Sequence, residues 1–97
     1  MARLDDDAIS AALAGLQWVR EGDELIKTVK LADFSAALEF VNAVGALAEA
    51  ANHHPDIDIR WNTVMLRLTT HSAGGLTAKD LELAAAIDNL GGGTTSG

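Results

Sequence analysis

The sequence predicts an α+β fold, a four-stranded antiparallel sheet with three helices on one face, in the order α-β-β-α-β-β-α. Three observations carry this. Ile57, Ile59 and Trp61 alternate with Asp58, Arg60 and Asn62, and Val64, Leu66 and Leu68 alternate with Met65, Arg67 and Thr69, the period of two that marks half-buried strands. A long stretch from Asp33 to Asn52 instead repeats its apolar residues at helical spacing. The strands also come in adjacent pairs between helices, which makes hairpins and an antiparallel sheet rather than parallel crossovers. One face of that sheet takes the helices, and the other is solvated or covered by a partner.

Asp5 to Leu16 reads as a short helix. Its aspartates sit in the first turn, where the helix dipole favours negative charge, and Ile9, Leu13 and Leu16 recur at helical spacing. Trp18 to Arg20 and Leu25 to Leu31 read as two strands joined through Glu21-Gly22-Asp23-Glu24, with Val29 and Leu31 alternating with Thr28 and Lys30. In the long helix Asp33 is the expected N-cap. Phe34, Leu38, Val41, Val44 and Leu47 form the expected core face, and Ser35, Glu39, Asn42 and Glu49 a polar stripe. Pro55 prevents helical continuation. The next two strands meet in a tight turn near Asn62-Thr63, and Trp61 is expected in the core. The last helix opens on Thr77 as N-cap with Asp80 three residues on, a capping box with Asp in place of Glu, and Leu76 and Leu81 stand at staple positions. Leu83, Ile87 and Leu90 form its expected buried stripe, and Gly91 a left-handed stop. A single domain over 1–90 and a disordered glycine-rich tail over 91–97 are expected.

With 97 residues and no cysteine, disulfides, cysteine-bound zinc and a cysteine nucleophile are excluded. Formal charge is −7, and the seven Lys and Arg form no basic run, which argues against direct nucleic-acid binding. The stretch from Ala43 to Ala51 is too short to cross a bilayer, and the acidic N-terminal cluster is unlike a targeting segment, so a soluble, cytoplasmic protein without membrane contact is expected. A small domain with an open sheet edge and an alanine-rich helix (Ala36, Ala43, Ala46, Ala50) is expected to self-associate as a homodimer, with a homotetramer as the larger alternative.

The candidate chemistry is histidine chemistry. All three histidines, His53, His54 and His71, fall between residues 53 and 71. The first two follow the long helix and the third ends the fourth strand. If the third and fourth strands form a hairpin, both of its ends lie at one sheet edge and the three imidazoles converge there. Imidazole titrates near neutrality and serves as acid or base. The plainer alternative is that these histidines cap helix carbonyls or lie on the surface. Adjacent His53 and His54 point apart, unlike the spaced pairs that bind one zinc, so no metal is expected. Glu49 precedes His53 by one helical turn and is either a solvated helix residue or a carboxylate orienting an imidazole. Asp80 serves the cap and stands near the histidine edge. Trp61, if at an edge, would stack on a flat heterocycle.

The set Glu49, His53-His54-Pro55, Trp61, His71 and Asp80 resembles the signature of the pterin-4a-carbinolamine dehydratases. Asn52-His53-His54-Pro55-Asp56, Thr69-Thr70-His71 and Gly75 to Asp80 are the stretches most like that family, and the similarity runs from about Trp18 to Leu90. Three positions depart from it: Ile57 where an aromatic is frequent, Ser72 where an acid is frequent, and Leu81 where some members carry Trp. These bear on pocket lining more than on proton chemistry. The resemblance implies a cofactor-free lyase that dehydrates 4a-hydroxytetrahydropterin to quinonoid dihydropterin. It implies His53, His54 and His71 as the catalytic set, Glu49 and Asp80 as supporting carboxylates, and Trp61, Thr69 and Thr70 as substrate-binding residues. It leaves a second class of reading open, a non-catalytic dimerisation or assembly module on the same fold.

Overall fold

A computed structural model describes residues 2–90 and 94–96. The elements run α1 (Asp6–Leu13), β1 (Val19–Glu21), β2 (Glu24–Lys30), α2 (Phe34–Ala51), β3 (Asp56–Arg60), β4 (Thr63–Leu68), α3 (Ala78–Asp88) and β5 (Thr94–Ser96), with a single 3₁₀ turn at His71–Ala73. Strands β1 to β4 form the antiparallel sheet that the sequence predicts; their order across it is β1-β2-β4-β3, and β5 pairs with β2 off this path. The register sets its two faces. Leu25 opposite Leu68, Val29 opposite Val64, and Leu66 turn inward and are buried against the helices. Thr28, Met65 and Arg67 alternate with them on the uncovered face.

Three expectations shift. The core face of α2 is Ala37, Phe40, Val44 and Ala48, whereas Phe34 and Leu38 are 46 % and 42 % exposed. The helix is apolar around most of its girth. The sheet selects the stripe with the small residues Ala37 and Ala48, which allow close approach; of the expected face Val44 is fully buried and Val41 and Leu47 pack against the core, while Phe34 and Leu38 stay outside. Trp61, expected in the core, is 68 % exposed. β3 ends at Arg60, and Trp61 takes a left-handed conformation (φ 56°), the positive φ required at the first position of a two-residue hairpin turn. That rotation breaks the alternation and swings the indole out. Leu90 is half exposed because α3 stops at Asp88. Most of the tail, with the Gly91 cap, lies outside the described residues. Its described part, Thr94–Ser96, pairs with Thr28 to Lys30, beyond the stretch of β2 that β1 covers.

α2 is long and apolar enough, by length and composition, to cross a membrane. Here it is the core helix, packed on β4 and α3.

A buried ion pair ties the sheet to α3. Lys27 lies on the inward face of β2, only 5 % exposed, and its Nζ donates to Asp88 Oδ1 at 2.7 Å. Asp88 also accepts Trp18 Nε1 at 3.0 Å and the Gln17 amide at 2.8 Å. A cation at a helix C-terminus opposes no dipole, so the pair is well placed. Removing one member leaves the other charge buried and poorly compensated. Lys27→Met is expected to destabilise the fold by about 3 kcal/mol, read as a lower urea midpoint at constant slope. An unchanged midpoint would show that the pair contributes nothing.

Candidate active site

The two histidine segments reach one place because the β3–β4 hairpin has both ends there. α2 is stopped by Asn52, whose left-handed backbone (φ 50°) turns the chain. The His53 amide then donates to Ala48 O at 3.0 Å, closing the last helical turn in the manner of a Schellman cap. This breaks the helical register with Glu49. His53 turns inward, and it is His54 whose Nε2 meets Glu49 Oε2, at 2.5 Å. Both members of that pair are solvent-exposed, so the contact orients the His54 ring without adding much stability.

On the other side, β4 runs into Thr69, Thr70 and the 3₁₀ turn that begins at His71. Gly74 (φ 70°) closes the turn, its amide donating to His71 O at 3.1 Å, and Thr70 and Gly75 bridge each other. The N-terminal arm holds this loop from outside: the Leu4 amide donates to Leu76 O at 2.8 Å and the Arg3 guanidinium to Gly74 O at 3.2 Å.

A cavity of about 530 Å³ lies between the two segments. It is lined by His53, His54 and His71 together with Thr69 and Thr70, so five of the sequence-predicted residues share one site. Its volume is within the roughly 300–1,000 Å³ of small-molecule sites. Asn52, Ser72 and Lys79 also line it; the sequence marked Ser72 as a position bearing on pocket lining but gave Asn52 and Lys79 no role of their own. Lys79 had a signal: it is a cation in the first turn of α3, where the helix dipole disfavours positive charge, a local conflict of the kind functional sites carry. A cavity of about 590 Å³ on the uncovered face of β3 and β4, lined by Asp56, Asp58, Arg60 and Arg67, contains no histidine.

Behind the cavity stands Asp80, fully buried. Its Oδ1 pairs with His53 Nε2 at 2.6 Å. Its Oδ2 accepts the Thr77 amide at 2.9 Å, the carboxylate arm of the capping box, and the Thr70 hydroxyl at 2.7 Å. His53 is itself nearly enclosed, with 11 % of its side chain exposed. A carboxylate can only accept, so the His53 ring carries a proton on Nε2 and a neutral ring keeps its lone pair on Nδ1. His53 is thus anchored in the interior, while His54 and His71 are exposed at the cavity mouth. No buried side-chain nitrogen or oxygen among the described residues lacks a partner. Nor do three His, Asp or Glu side chains converge there as metal ligands.

Of the three expected substrate contacts, Thr69 and Thr70 line the cavity and Trp61 does not. Trp61 sits at the turn end of the hairpin, a full strand away from the histidines, roughly 17 Å. It does not line the cavity of its own chain. Thr69 and Thr70 do line it, but their hydroxyls are engaged by the protein, Thr69 with Asp23 O at 2.7 Å and Thr70 with Asp80.

Residues 2–90 match the family model described as pterin 4 alpha carbinolamine dehydratase. A Chloroflexus aurantiacus relative that carries the name "Putative pterin-4-alpha-carbinolamine dehydratase" is 56 % identical over 93 residues, covering 95 % of this chain and 100 % of the relative. The crystal structure of a transcriptional coactivator/pterin dehydratase from Brucella melitensis superposes with a TM-score of 0.84 at 31 % identity, covering 90 % of this chain and 96 % of that one. A pterin dehydratase-like protein identified as a RuBisCO assembly factor in the α-carboxysome shares the fold, with a TM-score of 0.64 at 21 % identity over 86 % of this chain and 96 % of the other. The match of fold, length and sequence places this chain in the pterin-4-alpha-carbinolamine dehydratase family.

Proposed function

We propose that this protein dehydrates 4a-hydroxytetrahydropterin to quinonoid dihydropterin and water by histidine acid–base catalysis, as a step in tetrahydropterin recycling. The observation that supports this most is the meeting of His53, His54 and His71 around one cavity, with His53 held by the buried Asp80. In the reaction the C4a–O bond breaks and the leaving hydroxyl takes up a proton to become water. The N5–H proton departs, and its electron pair forms the C4a=N5 double bond. One group donates, one accepts, and no electron is exchanged with the protein. His53 is the principal acid/base. Its Nε2 is committed to Asp80, which leaves Nδ1 to exchange the proton. His71 faces it from the other segment, and His54, steadied by Glu49, assists or holds the ring. The catalysis calls on no cofactor or metal, and the composition fits a cytoplasmic protein.

Ultraviolet absorbance of freshly generated 4a-hydroxytetrahydropterin tests this directly. The protein at catalytic concentration is expected to speed its decay well beyond buffer alone. Decay no faster than buffer would leave the assembly-module reading in its place.

The exposed stripe of Phe34 and Leu38 on α2, and the free edge of β3 with Ile57 39 % exposed, support self-association. Light scattering at micromolar concentration is expected to give at least twice the chain mass, and Leu38→Glu to lower it if the helix stripe is the contact. A monomer mass for the unmodified protein would contradict the proposal.

A further inference from the structure

We propose that Thr70 is a positioning residue for His53, acting through Asp80; this rests on the dehydratase reading for its kinetic consequence but not for its structural one. Thr70 is 7 % exposed, and Thr77 and Asp80 are fully buried. The Thr77 amide can only donate, and it occupies one lone pair of Asp80 Oδ2. The Thr70 hydroxyl donates its one hydrogen to the same oxygen at 2.7 Å. Its contact with Thr77 Oγ1 at 2.9 Å must therefore run the other way, with Thr77 donating. The chain has one polarity: Thr77 to Thr70 to Asp80, with His53 Nε2–H arriving at the opposite oxygen.

The capping box alone would fix Asp80 through a single backbone amide on one oxygen. The carboxylate plane would then be free to rock about that contact, and Oδ1 with it. The second donor on Oδ2 removes that freedom and so holds the acceptor that selects the His53 tautomer. Thr70 is also the residue before His71 and is bridged to Gly75 across the loop base. A displacement of the His71 loop thus moves the hydroxyl that aims the His53 ring. The two imidazole segments are coupled through one side chain.

The test compares Thr70→Ser, Thr70→Cys and Thr70→Val, with two readouts. In the decay assay, Ser is expected to stay near the unmodified protein, Cys, a weak donor, to fall between, and Val to lose about 10- to 100-fold in kcat with little change in KM. Nitrogen-15 shifts of the His53 ring, which need no turnover, are expected to show a single Nε2–H form in the unmodified protein and in Ser, and mixed ring forms in Val. Val matching Ser in both rate and ring signal would overturn the proposal, as would Ser falling as far as Val. Should Val not fold, the Ser and Cys pair decides, and equality between them overturns it. If the unmodified protein shows no dehydration, the dehydratase reading fails alone and the ring signals still decide the role of Thr70.

Discussion

His53→Ala is expected to slow 4a-hydroxytetrahydropterin dehydration by about 10²-fold or more, the usual scale for losing a positioned acid or base. The geometry explains why this substitution should outrank the others at the cavity. His53 is nearly enclosed and fixed at 2.6 Å by a fully buried carboxylate, so its ring enters each turnover already oriented. His54 is exposed and held only by exposed Glu49, and water can replace part of what its loss removes. His54→Ala should therefore fall less. Deleting the His53 ring also strips a donor from Asp80 Oδ1, and folding should weaken by about 1–3 kcal/mol, the penalty for a buried acceptor left short. Stopped-flow absorbance on the folded variant checks the rate. A variant as fast as the unmodified protein would refute the role given to His53.

Asp80→Asn separates charge from shape. The carboxylate receives three donors, His53 Nε2–H on one oxygen and the Thr70 hydroxyl and Thr77 amide on the other. An amide side chain has one oxygen to offer. Kept toward Thr70 and Thr77, it preserves the cap and turns its NH₂ toward His53 Nε2. The ring must then accept there and carry its proton on Nδ1, the inverse of what the cavity needs. The expected result is a fall in kcat of roughly 10²- to 10⁴-fold, the scale for an imidazole held in the wrong tautomer. Stability should drop by only about 1 kcal/mol, because the cap survives and only the charge at the helix N-terminus is lost. Unfolding midpoints and kcat on the same sample check both. A large loss of stability with kcat intact would make Asp80 a structural residue alone.

Much of the fold was legible because the strands carry their period openly. Val64, Leu66 and Leu68 must face one way, and they are the floor of the core. The capping box of Thr77 and Asp80 was equally plain, since its partners lie three residues apart. The buried face of α2 was legible only in part, at Val44, Val41 and Leu47. A helix apolar around most of its circumference gives no unique moment, and only the sheet chooses among its stripes. Trp61 was misplaced by one residue of turn position, which in a period of two is enough to send a side chain to the wrong environment. At the site, convergence of the histidines followed from hairpin topology. The pairing of carboxylates did not: Asn52 ends the helix in a left-handed residue, so Glu49 meets His54, and His53 finds Asp80 across the fold. Thr70 and Lys79 belong to the same class. What they touch depends on tertiary geometry that spacing along the chain does not encode.

The central claim is that a flat pterin ring sits among the three imidazoles. The most direct measurement is a titration of the protein with a stable 7,8-dihydropterin, followed by the NMR signals of His53, His54, His71 and the Trp61 indole. The three histidine signals should shift together along one saturating curve while the indole stays unmoved. A saturating shift at Trp61 or on the open sheet face, with the histidines silent, would contradict it.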